Sequence, residues 1–285
     1  MKILVTGGCG FVGSNLVDLL VEENHQEHDV IVVDNLVTGK KENCNELATY
    51  VFEGVGDVIF DNDLKDVEIV YHLAAMPRIQ PSFNKPLYTF KNNAQNTALV
   101  CDFAKRNNAK IVYAGSSTYY GGVFLNPYAF SKWVGEEVCK MYSEIYDVTT
   151  SIARFFNVYG PRHLKTGPYS TVVGIFEEQY KNNEPLTITG DGEQRRDFTH
   201  VNDICRGLMA MSRGSHKGEV FNLGTGVNYS INELAAMFNG APTKYIPKRP
   251  GEAQETLADI SKINGESGWT PEYNLQDYIK NEVKK

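Results

Sequence analysis

The sequence opens with KILVTGGCGFVG, residues 2–13, in which a β-branched run leads straight into spaced glycines. Gly7, Gly10 and Gly13 would permit a tight turn and a close approach of the backbone to a pyrophosphate. A helix that begins at Phe11 would present free N–H groups and a partial positive charge to that anion. The stretch therefore predicts a strand, a phosphate-binding turn and a helix, with an ordinary turn as the alternative interpretation of the glycines alone.

An acidic residue closes the second apolar run. Asp34 ends VIVVDN, residues 30–35, about 20 residues beyond the last glycine, where an acid binds the ribose hydroxyls of a dinucleotide. A carboxylate there repels a 2′-phosphate, so the pattern favours NAD over NADP. The alternative is a cap or turn residue, because Asn35 follows.

Apolar runs alternate with amphipathic stretches through the first two-thirds of the chain. Runs that are apolar nearly throughout and end in small or polar residues predict buried parallel strands. The predicted strands span residues 2–7, 29–35, 67–75, 109–117 and 150–160, and the predicted helices span 11–23, 92–107 and 128–146. This rhythm predicts an α/β fold with a doubly wound parallel sheet.

Beyond Gly160 the pattern changes to short strands, loops and brief helices, which predicts a smaller C-terminal α/β lobe. We expect residues 1–158 to form a dinucleotide-binding domain, with roughly 196–225 returning to it. The substrate lobe would then comprise residues 159–195 and 226–285.

Composition excludes several classes of protein. The formal charge is −7, from 28 basic and 35 acidic residues without a basic block, so nucleic acid is not an expected partner. The five cysteines are dispersed and predict reduced thiols, with no disulfide framework and no metal site. No apolar run reaches the roughly 20 residues of a membrane span, and no signal peptide precedes the first strand. We therefore expect a soluble cytoplasmic protein without membrane contact.

The segment NPYAFSK, residues 126–132, places Tyr128 and Lys132 four positions apart on a predicted helix, so both lie on one face. A free phenol has a pKa of about 10, too high for a base at neutral pH. A nearby ammonium would lower the pKa of Tyr128 and allow it to act as a general base. An ordinary pair on an amphipathic helix is the alternative.

Six motifs occur in a defined order: TGGCGFVG, HLAA, GSSTYYG, YAFSK, RFFNVYGPR and GDGEQRRDF. Together they resemble the extended short-chain dehydrogenase/reductase family, and within it the nucleotide-sugar epimerases of the UDP-glucose 4-epimerase type. The resemblance runs from residue 2 to about residue 269. It implies a Rossmann-like domain, NAD as cofactor, a UDP-sugar substrate, and a homodimer formed through helices near 97–106 and 130–142.

The resemblance also implies roles for individual residues. Tyr128 would be the base, with Ser116 hydrogen-bonded to the same sugar hydroxyl and Lys132 beside them. The implied cofactor contacts are Gly7, Gly10, Phe11, Val12, Gly13, Asp34, Asn35, Asp57, Val58, Leu73, Ala74, Ala75, Asn93, Tyr128, Lys132 and Phe155. The implied substrate contacts are Ser116, Asn157, Thr171, Val172, Thr187, Thr189, Arg196, Arg249, Glu252 and Thr256. We expect His72 to satisfy a local hydrogen bond and to have no catalytic role.

The two residues after Ser116 help to distinguish the reactions that the family catalyses. Dehydratases of the family carry an Asp-Glu pair there and UDP-glucuronate decarboxylases a glutamate, whereas this chain has Ser117 and Thr118. The pattern favours a 4-epimerase acting on UDP-Glc and UDP-Gal through a transient 4-keto sugar. Thr256 occupies the position that controls pocket size, and its small side chain favours acceptance of UDP-GlcNAc and UDP-GalNAc as well.

Two alternatives remain open. The first is another UDP-sugar enzyme, either a uronic-acid epimerase or a reductase that produces net NAD turnover. The second is a non-catalytic NAD-binding sensor, for which changing Tyr128 would have no effect.

The segment before Pro127 is short. It consists only of GGVFLN, residues 121–126, where the family usually has a longer loop beside the substrate. We expect a more open pocket there, with a degenerate or repurposed site as the rival hypothesis.

Overall fold

The computed structural model describes residues 1–24, 29–58 and 64–283. Its strands are β1 (Lys2–Thr6), β2 (Asp29–Val33), β3 (Thr49–Val51), β4 (Ile69–His72), β5 (Lys110–Ser116), β6 (Thr150–Phe155), β7 (Asn157–Tyr159), β8 (Leu186–Thr189), β9 (Arg195–His200), β10 (Lys217–Leu223), β11 (Asn228–Ser230) and β12 (Thr243–Ile246).

Helices follow most of the strands. They are α1 (Phe11–Asn24), α2 (Val55–Val58), α3 (Ile79–Asn84), α4 (Pro86–Phe90), α5 (Asn96–Asn107), α6 (Thr118–Gly121), α7 (Pro127–Tyr146), α8 (Val172–Lys181), α9 (Val201–Arg213), α10 (Ile231–Ala236), α11 (Ser261–Ser267) and α12 (Leu275–Tyr278). Among the described helices, none is both long enough and apolar enough to cross a bilayer. All five cysteines are free thiols.

Seven strands form a parallel sheet in the order β10-β6-β5-β4-β1-β2-β3. From β1 the chain moves outward in one direction to β3 and then returns to build the other half from β4. The connection that follows β1 and the connection that follows β4 therefore lead in opposite directions across the sheet. Such a switch point opens a crevice at the carboxyl ends of the strands. The predicted doubly wound α/β fold is confirmed.

Both faces of this sheet are covered, which explains why its strands are apolar nearly throughout. Ile3 and Val5 pack with α1 and α9 in one core, whereas Leu4, between them, packs with α5 in the other. Successive side chains of a strand point to opposite faces of the sheet. A strand with alternating apolar and polar residues would therefore place polar side chains on one face, which suits a face in contact with solvent.

A third core lies beyond the large sheet. The three-stranded sheet β11-β9-β7 and the parallel pair β12-β8 pack with α8, α10 and α12 around Tyr159, Phe176, Phe198 and Phe238. These elements form the smaller C-terminal α/β part that the sequence predicted. The strand β10 lies in the large sheet beside β6. The domain boundaries themselves stay a prediction.

Two predicted elements differ from the structure. The strand predicted over 150–160 is divided at Phe156, whose N–H donates to Leu223 O at 3.2 Å while β7 continues into a different sheet. The helix predicted over 92–107 begins with a π-helical turn, Lys91–Gln95, before α5. A periodic apolar pattern does not reveal where a chain changes its pairing partner, because both sheets bury the same kinds of side chain.

Candidate active site

A cavity of about 860 Å³ lies at the carboxyl edge of the large sheet. Its wall includes the segments that directly follow four of the strands: the glycine turn after β1, Asp34 after β2, residues 73–75 after β4, and Ser116 with residues 117–118 at the end of β5. The parallel topology brings these segments together, because all seven strands end at the same edge.

The glycine turn leaves no room for side chains. Gly7 has φ +76°, and a Cβ there would lie 2.8 Å from Ala74 N, while a Cβ on Gly13 would lie 2.1 Å from Gly7 O. The turn therefore packs against itself and against the segment after β4. Only glycine allows this close approach, which leaves the backbone N–H groups at the start of α1 facing the cavity.

Asp34 is held at the same end of the cavity. Its Oδ2 accepts a hydrogen bond from Cys9 N at 2.9 Å and its Oδ1 accepts one from Leu36 N at 2.8 Å, and the side chain is 7% exposed. A fixed carboxylate beside a glycine cradle fits the ribose diol and pyrophosphate of NAD. Gly7, Gly10, Gly13 and Asp34 would hold that cofactor.

His72 has the structural role expected of it. Its Nδ1 lies 2.7 Å from Thr6 Oγ1 and its Nε2 lies 3.1 Å from Thr97 Oγ1, so both ring nitrogens are satisfied. Complete burial, together with the nearby charge of Lys132, lowers the pKa of His72 to about 3. The imidazole is therefore neutral and is not available as an acid near pH 7.

Tyr128 and Ser116 meet in the wall of the cavity. Burial raises the pKa of Tyr128, while a hydrogen bond with Ser116 and the positive charge of Arg78 act in the opposite direction. Ser116 Oγ also accepts a hydrogen bond from Thr118 Oγ1 at 2.9 Å, which fixes the position of its oxygen. This pair can hold a hydroxyl group and exchange a proton with it.

Lys132 lies one turn from Tyr128 on α7, as its spacing predicted, and lines the same cavity. Its Nζ is 4.3 Å from the centre of the Tyr113 ring, and burial lowers its pKa to about 8 although Glu136 opposes the change. The sequence suggested Lys132 as the cation that acts on Tyr128. The positive charge of Arg78, a residue without a predicted role, also opposes the rise in the pKa of Tyr128.

The far end of the cavity carries the residues expected to contact substrate. Arg196 is 9% exposed; its Nη1 donates to Arg195 O at 2.8 Å, and its Nη2 lies 3.9 Å from Glu252 Oε2. The Oγ1 of Thr256 is buried without a hydrogen-bond partner, and Thr256 is 6% exposed. The other predicted substrate residues in this wall are Asn157, Val172, Thr187, Thr189 and Arg249.

The predicted cofactor residues in the wall are Gly7, Gly10, Phe11, Val12, Gly13, Asp34, Asn35, Leu73, Ala74, Ala75, Tyr128, Lys132 and Phe155. Four predicted site residues lie outside it. Asp57 is exposed on α2, and Val58 is packed in the core. Asn93 accepts a hydrogen bond from Met76 N at 2.6 Å, and Thr171 caps α8 by accepting one from Gly174 N at 2.9 Å. Because the polar atoms of Asn93 and Thr171 are engaged by backbone, these residues support the wall without forming it.

The short segment 121–126 is covered by residues 249–253, and the more open pocket expected beside it stays a prediction. Asn126 Nδ2 donates to Gly251 O at 3.0 Å, and Gln80 Nε2 donates to Pro250 O at 3.0 Å. A Cβ on Gly121 would lie 2.7 Å from Ala253 Cβ, so residues 249–253 pack directly over this segment. These residues belong to a distant part of the chain, and Arg249, Glu252 and Ala253 from that part line the cavity.

The model of the NAD dependent epimerase/dehydratase family matches residues 3–224. The chain belongs to that family. It is therefore an NAD-dependent enzyme of the epimerase/dehydratase kind, and the extended short-chain dehydrogenase/reductase assignment is confirmed.

Two curated relatives align with nearly the whole chain. A Methanocaldococcus jannaschii protein, provisionally named a UDP-glucose 4-epimerase, is 37% identical over 99% of this chain and 97% of its own length. UDP-glucuronic acid decarboxylase 2 of Arabidopsis thaliana is 33% identical over 100% of this chain and 68% of its own length.

Two solved structures share the fold along the whole chain. The UDP-N-acetylglucosamine 4-epimerase of Methanobrevibacter ruminantium, in complex with UDP-N-acetylmuramic acid, has a TM-score of 0.89 with 31% identity and covers 99% of this chain and 96% of that one. The UDP-glucuronic acid 4-epimerase of Bacillus cereus, in complex with UDP-glucuronic acid and NAD, has a TM-score of 0.91 with 30% identity and covers 99% and 98%. All four names describe UDP-sugar enzymes, but the sugars differ.

Changing Asn126 tests the link between α7 and residues 249–253. Asn126 Oδ1 accepts a hydrogen bond from Ala129 N at 2.7 Å and caps the helix, whereas its Nδ2 holds the loop. Asn126→Ser should keep the cap and lose the loop contact, and Asn126→Ala should lose both. We expect both variants to bind UDP about two- to tenfold more weakly in calorimetry, because one hydrogen bond is lost.

Stability separates the two functions of Asn126. Only Asn126→Ala should lower the free energy of unfolding, by about 1 kcal/mol, because it removes the helix cap. Wild-type affinity for UDP in the serine variant would show that the contact with Gly251 does not order the loop.

Proposed function

We propose that the protein is an NAD-dependent UDP-sugar 4-epimerase that interconverts UDP-Glc with UDP-Gal and UDP-GlcNAc with UDP-GalNAc. One observation carries the proposal: Tyr128 and Ser116 line a cavity whose wall also contains the glycine turn and Asp34 from the large sheet, Arg196 from β9 and Arg249 from the segment after β12. A dinucleotide and a nucleotide sugar bound from opposite ends would meet at Tyr128.

The proposed chemistry needs one proton acceptor. NAD, when bound, supplies reversible hydride chemistry. Tyr128 removes the proton from the C4 hydroxyl while Ser116 holds that oxygen by a hydrogen bond. The resulting 4-keto sugar turns within the cavity, and Tyr128 returns the proton when the opposite face of C4 is reduced. No proton or electron is lost over the cycle, so the products are an isomer and the original NAD.

The acidic groups of the cavity favour epimerisation over elimination. Among the residues that the structure describes, Asp34 and Glu252 are the carboxylates in the wall. Asp34 is held by backbone N–H groups at the glycine turn, and Glu252 lies beside Arg196. Ser117 and Thr118, beside Ser116, carry only hydroxyl groups. This supports an epimerase although a curated relative is a decarboxylase, because decarboxylases of the family use a glutamate near that serine.

The other end of the cavity suits a uridine diphosphate. The guanidinium of an arginine makes planar, bidentate contacts with phosphate oxygens, and Arg196 with Arg249 would bind the diphosphate. We assign Thr187, Thr189 and Val172 to the uridine. The backbone of Thr187 is already fixed, since its N–H donates to Gln179 Oε1 at 3.0 Å.

The reaction is tested by incubating the protein and NAD with UDP-Glc, UDP-Gal, UDP-GlcNAc and UDP-GalNAc separately and recording proton NMR spectra of the anomeric region. We expect the C4 epimer to form, and Tyr128→Phe to reduce its rate by at least about 100-fold, because general base catalysis contributes about that much or more. Equal binding of NAD by wild type and variant is the control.

Other products would favour the alternatives. Consumption of NADH in proportion to UDP-sugar would indicate a reductase, and turnover of UDP-glucuronic acid alone would indicate a uronic-acid epimerase. If the function of the protein were unchanged in Tyr128→Phe, the non-catalytic NAD-binding sensor would be the remaining hypothesis.

Thr256 should control the size of the sugar that fits. Its side chain lines the cavity and is small, and its buried Oγ1 makes no hydrogen bond that would fix a larger wall there. Thr256→Tyr should reduce kcat/KM for UDP-GlcNAc by about 10- to 100-fold more than for UDP-Glc, because a ring fills the space that an acetamido group needs. Thr256→Ser, the matched control, should leave the ratio close to that of wild type. Equal losses for both sugars in Thr256→Tyr would contradict this assignment.

We also propose a homodimer formed through α5 and α7. Met141 and Ile145 lie four positions apart on α7 and are 38% and 65% exposed, which places an apolar stripe on the surface. Sedimentation velocity should give a particle of twice the 31.9 kDa chain mass. Met141→Glu with Ile145→Glu should give the monomer, whereas Leu47→Glu, at a residue that is 66% exposed elsewhere, should not. A monomeric wild type at micromolar concentration would exclude the proposal.

A further inference from the structure

Two thiols lie against each other beside the glycine turn. Cys9, which follows Gly8 in that turn, has its Sγ 3.7 Å from the Sγ of Cys44, although the two residues are 35 positions apart in sequence. At this distance the sulfur atoms are in contact. A disulfide bond is about 2.05 Å long, so the two atoms need to approach each other by less than about 2 Å to form one.

The backbone of Cys9 is fixed on both sides. Its N–H donates a hydrogen bond to Asp34 Oδ2 at 2.9 Å, and its carbonyl oxygen accepts hydrogen bonds from Lys40 N at 3.0 Å and from Asn43 Nδ2 at 2.9 Å. Cys44 directly follows Asn43, so the segment 40–44 already lies on the glycine turn. Since Cys9 is held in this way, the Cys44 side would make the movement that brings the sulfur atoms together.

The two cysteines differ in their access to solvent. Cys44 is half-buried and does not line the cavity, so a reagent can reach it from the outer surface without displacing a cofactor. Cys9 is 0% exposed, and burial, together with the carboxylate of Asp34, raises the pKa of its thiol. The thiolate is the attacking species in disulfide exchange. Cys44 should therefore react first with a reagent from solvent, and Cys9 should react second, inside the protein.

A second pair of cysteines provides an internal comparison. The Sγ atoms of Cys101 on α5 and Cys139 on α7 lie 3.9 Å apart, but both residues are 0% exposed. The fifth cysteine, Cys205, is also 0% exposed. If proximity of the sulfur atoms were sufficient, both pairs would be equally reactive. A requirement for solvent access selects Cys44 and its neighbour Cys9.

We propose that Cys9 and Cys44 form a dithiol modification site, which a small disulfide converts reversibly into an intramolecular disulfide that clasps residues 40–44 to the glycine turn. The inference goes beyond the proposed function and holds whichever sugar the enzyme takes. The dispersed cysteines predicted reduced thiols, and the free thiols of the structure are the reduced state of this site.

The exchange balances in two steps. The Cys44 thiolate attacks one sulfur of a reagent RSSR, which forms a mixed disulfide between Cys44 and SR and releases RS⁻. Cys9 then attacks the sulfur of Cys44, which forms the bond between the two cysteines and releases the second RS⁻. The protons of the two thiols end on two molecules of RSH, and the reagent takes up the two electrons that the cysteines lose. An excess of thiol reverses both steps.

The direct test needs no turnover of a sugar. The protein, saturated with NAD, is treated with 2-hydroxyethyl disulfide, and the remaining thiols are counted by alkylation in denaturant and mass spectrometry. Two of the five cysteines should become protected, peptide mapping should find Cys9 joined to Cys44, and dithiothreitol should restore all five. A wild type that keeps five free thiols, that stops at a mixed disulfide, or that joins Cys101 to Cys139 equally fast would overturn the proposal.

Variants separate the two steps of the exchange. Cys44→Ser should leave Cys9 reduced, because no accessible thiol begins the exchange. Cys9→Ala should stop at a mixed disulfide on Cys44, with the added mass of one half of the reagent. Cys101→Ala, the matched control, should form the disulfide at the wild-type rate. Modification of Cys9 in Cys44→Ser would contradict the proposal. Unfolding curves and NAD affinity of the reduced variants identify any that fails to fold.

The clasp should stabilise the fold and spare the cofactor site. The bond closes the chain from residue 9 to residue 44, and such a cross-link restricts the unfolded state. Oxidation should raise the Tm of the wild type by about 3 °C or more and leave that of Cys44→Ser unchanged. Because Asp34 and the segment 40–44 hold the backbone of Cys9, NAD affinity measured by calorimetry should stay within about threefold of that of the reduced protein. An unchanged Tm in the oxidised wild type, or a loss of NAD affinity of about tenfold, would refute the clasp.

Discussion

The buried ion pair between Glu136 and Arg154 holds the helix of the active site against the sheet. Arg154 Nη2 lies 2.6 Å from Glu136 Oε2, and Arg154 Nε lies 3.1 Å from both carboxylate oxygens, while the two side chains are 6% and 1% exposed. Breaking such a pair by removing one partner costs about 3–5 kcal/mol, because the other charge stays buried. The pair joins α7, which carries Tyr128 and Lys132, to β6, whose neighbour β5 ends at Ser116.

The packing around this pair leaves little freedom for α7. A Cβ on Gly115 would lie 2.8 Å from Glu136 Oε1, and the guanidinium of Arg154 lies 3.4 Å from the centre of the Tyr119 ring. Gly115 immediately precedes Ser116, so the same contact fixes the strand end and the helix together. The buried charge pair therefore helps to hold α7, which carries Tyr128, against the strand that ends at Ser116.

The charged groups of the cavity wall come from separate parts of the fold. The carboxylate of Asp34 lies at the glycine turn, Lys132 lies one turn from Tyr128 on α7, and Arg196 and Arg249 come from β9 and from the segment after β12. These groups suit a ribose diol and a diphosphate. The short segment before α7 fits the same plan, because Asn126 and Gln80 draw residues 249–253 over it and bring Arg249 and Glu252 into the wall. The chain thus builds the site from parts that are far apart in sequence.

The sequence by itself determined the features that depend on local patterns. The β-α-β rhythm, the glycine turn, Asp34 after the second strand, and Tyr128 with Lys132 on one helical face follow from periodicity and spacing, and topology then brings strand ends to one edge. Only the tertiary structure decided the break at Phe156, the supporting roles of Asn93 and Thr171, the packing of residues 249–253 over residues 121–126, and the hydrogen bond between Arg78 and Tyr169. Each of these depends on contacts between distant segments, such as Arg78 with Tyr169 or Asn126 with Gly251. Residue type and spacing do not specify such contacts, because hydrogen bonds and charges act through distance in space, and the packing of the whole chain sets that distance.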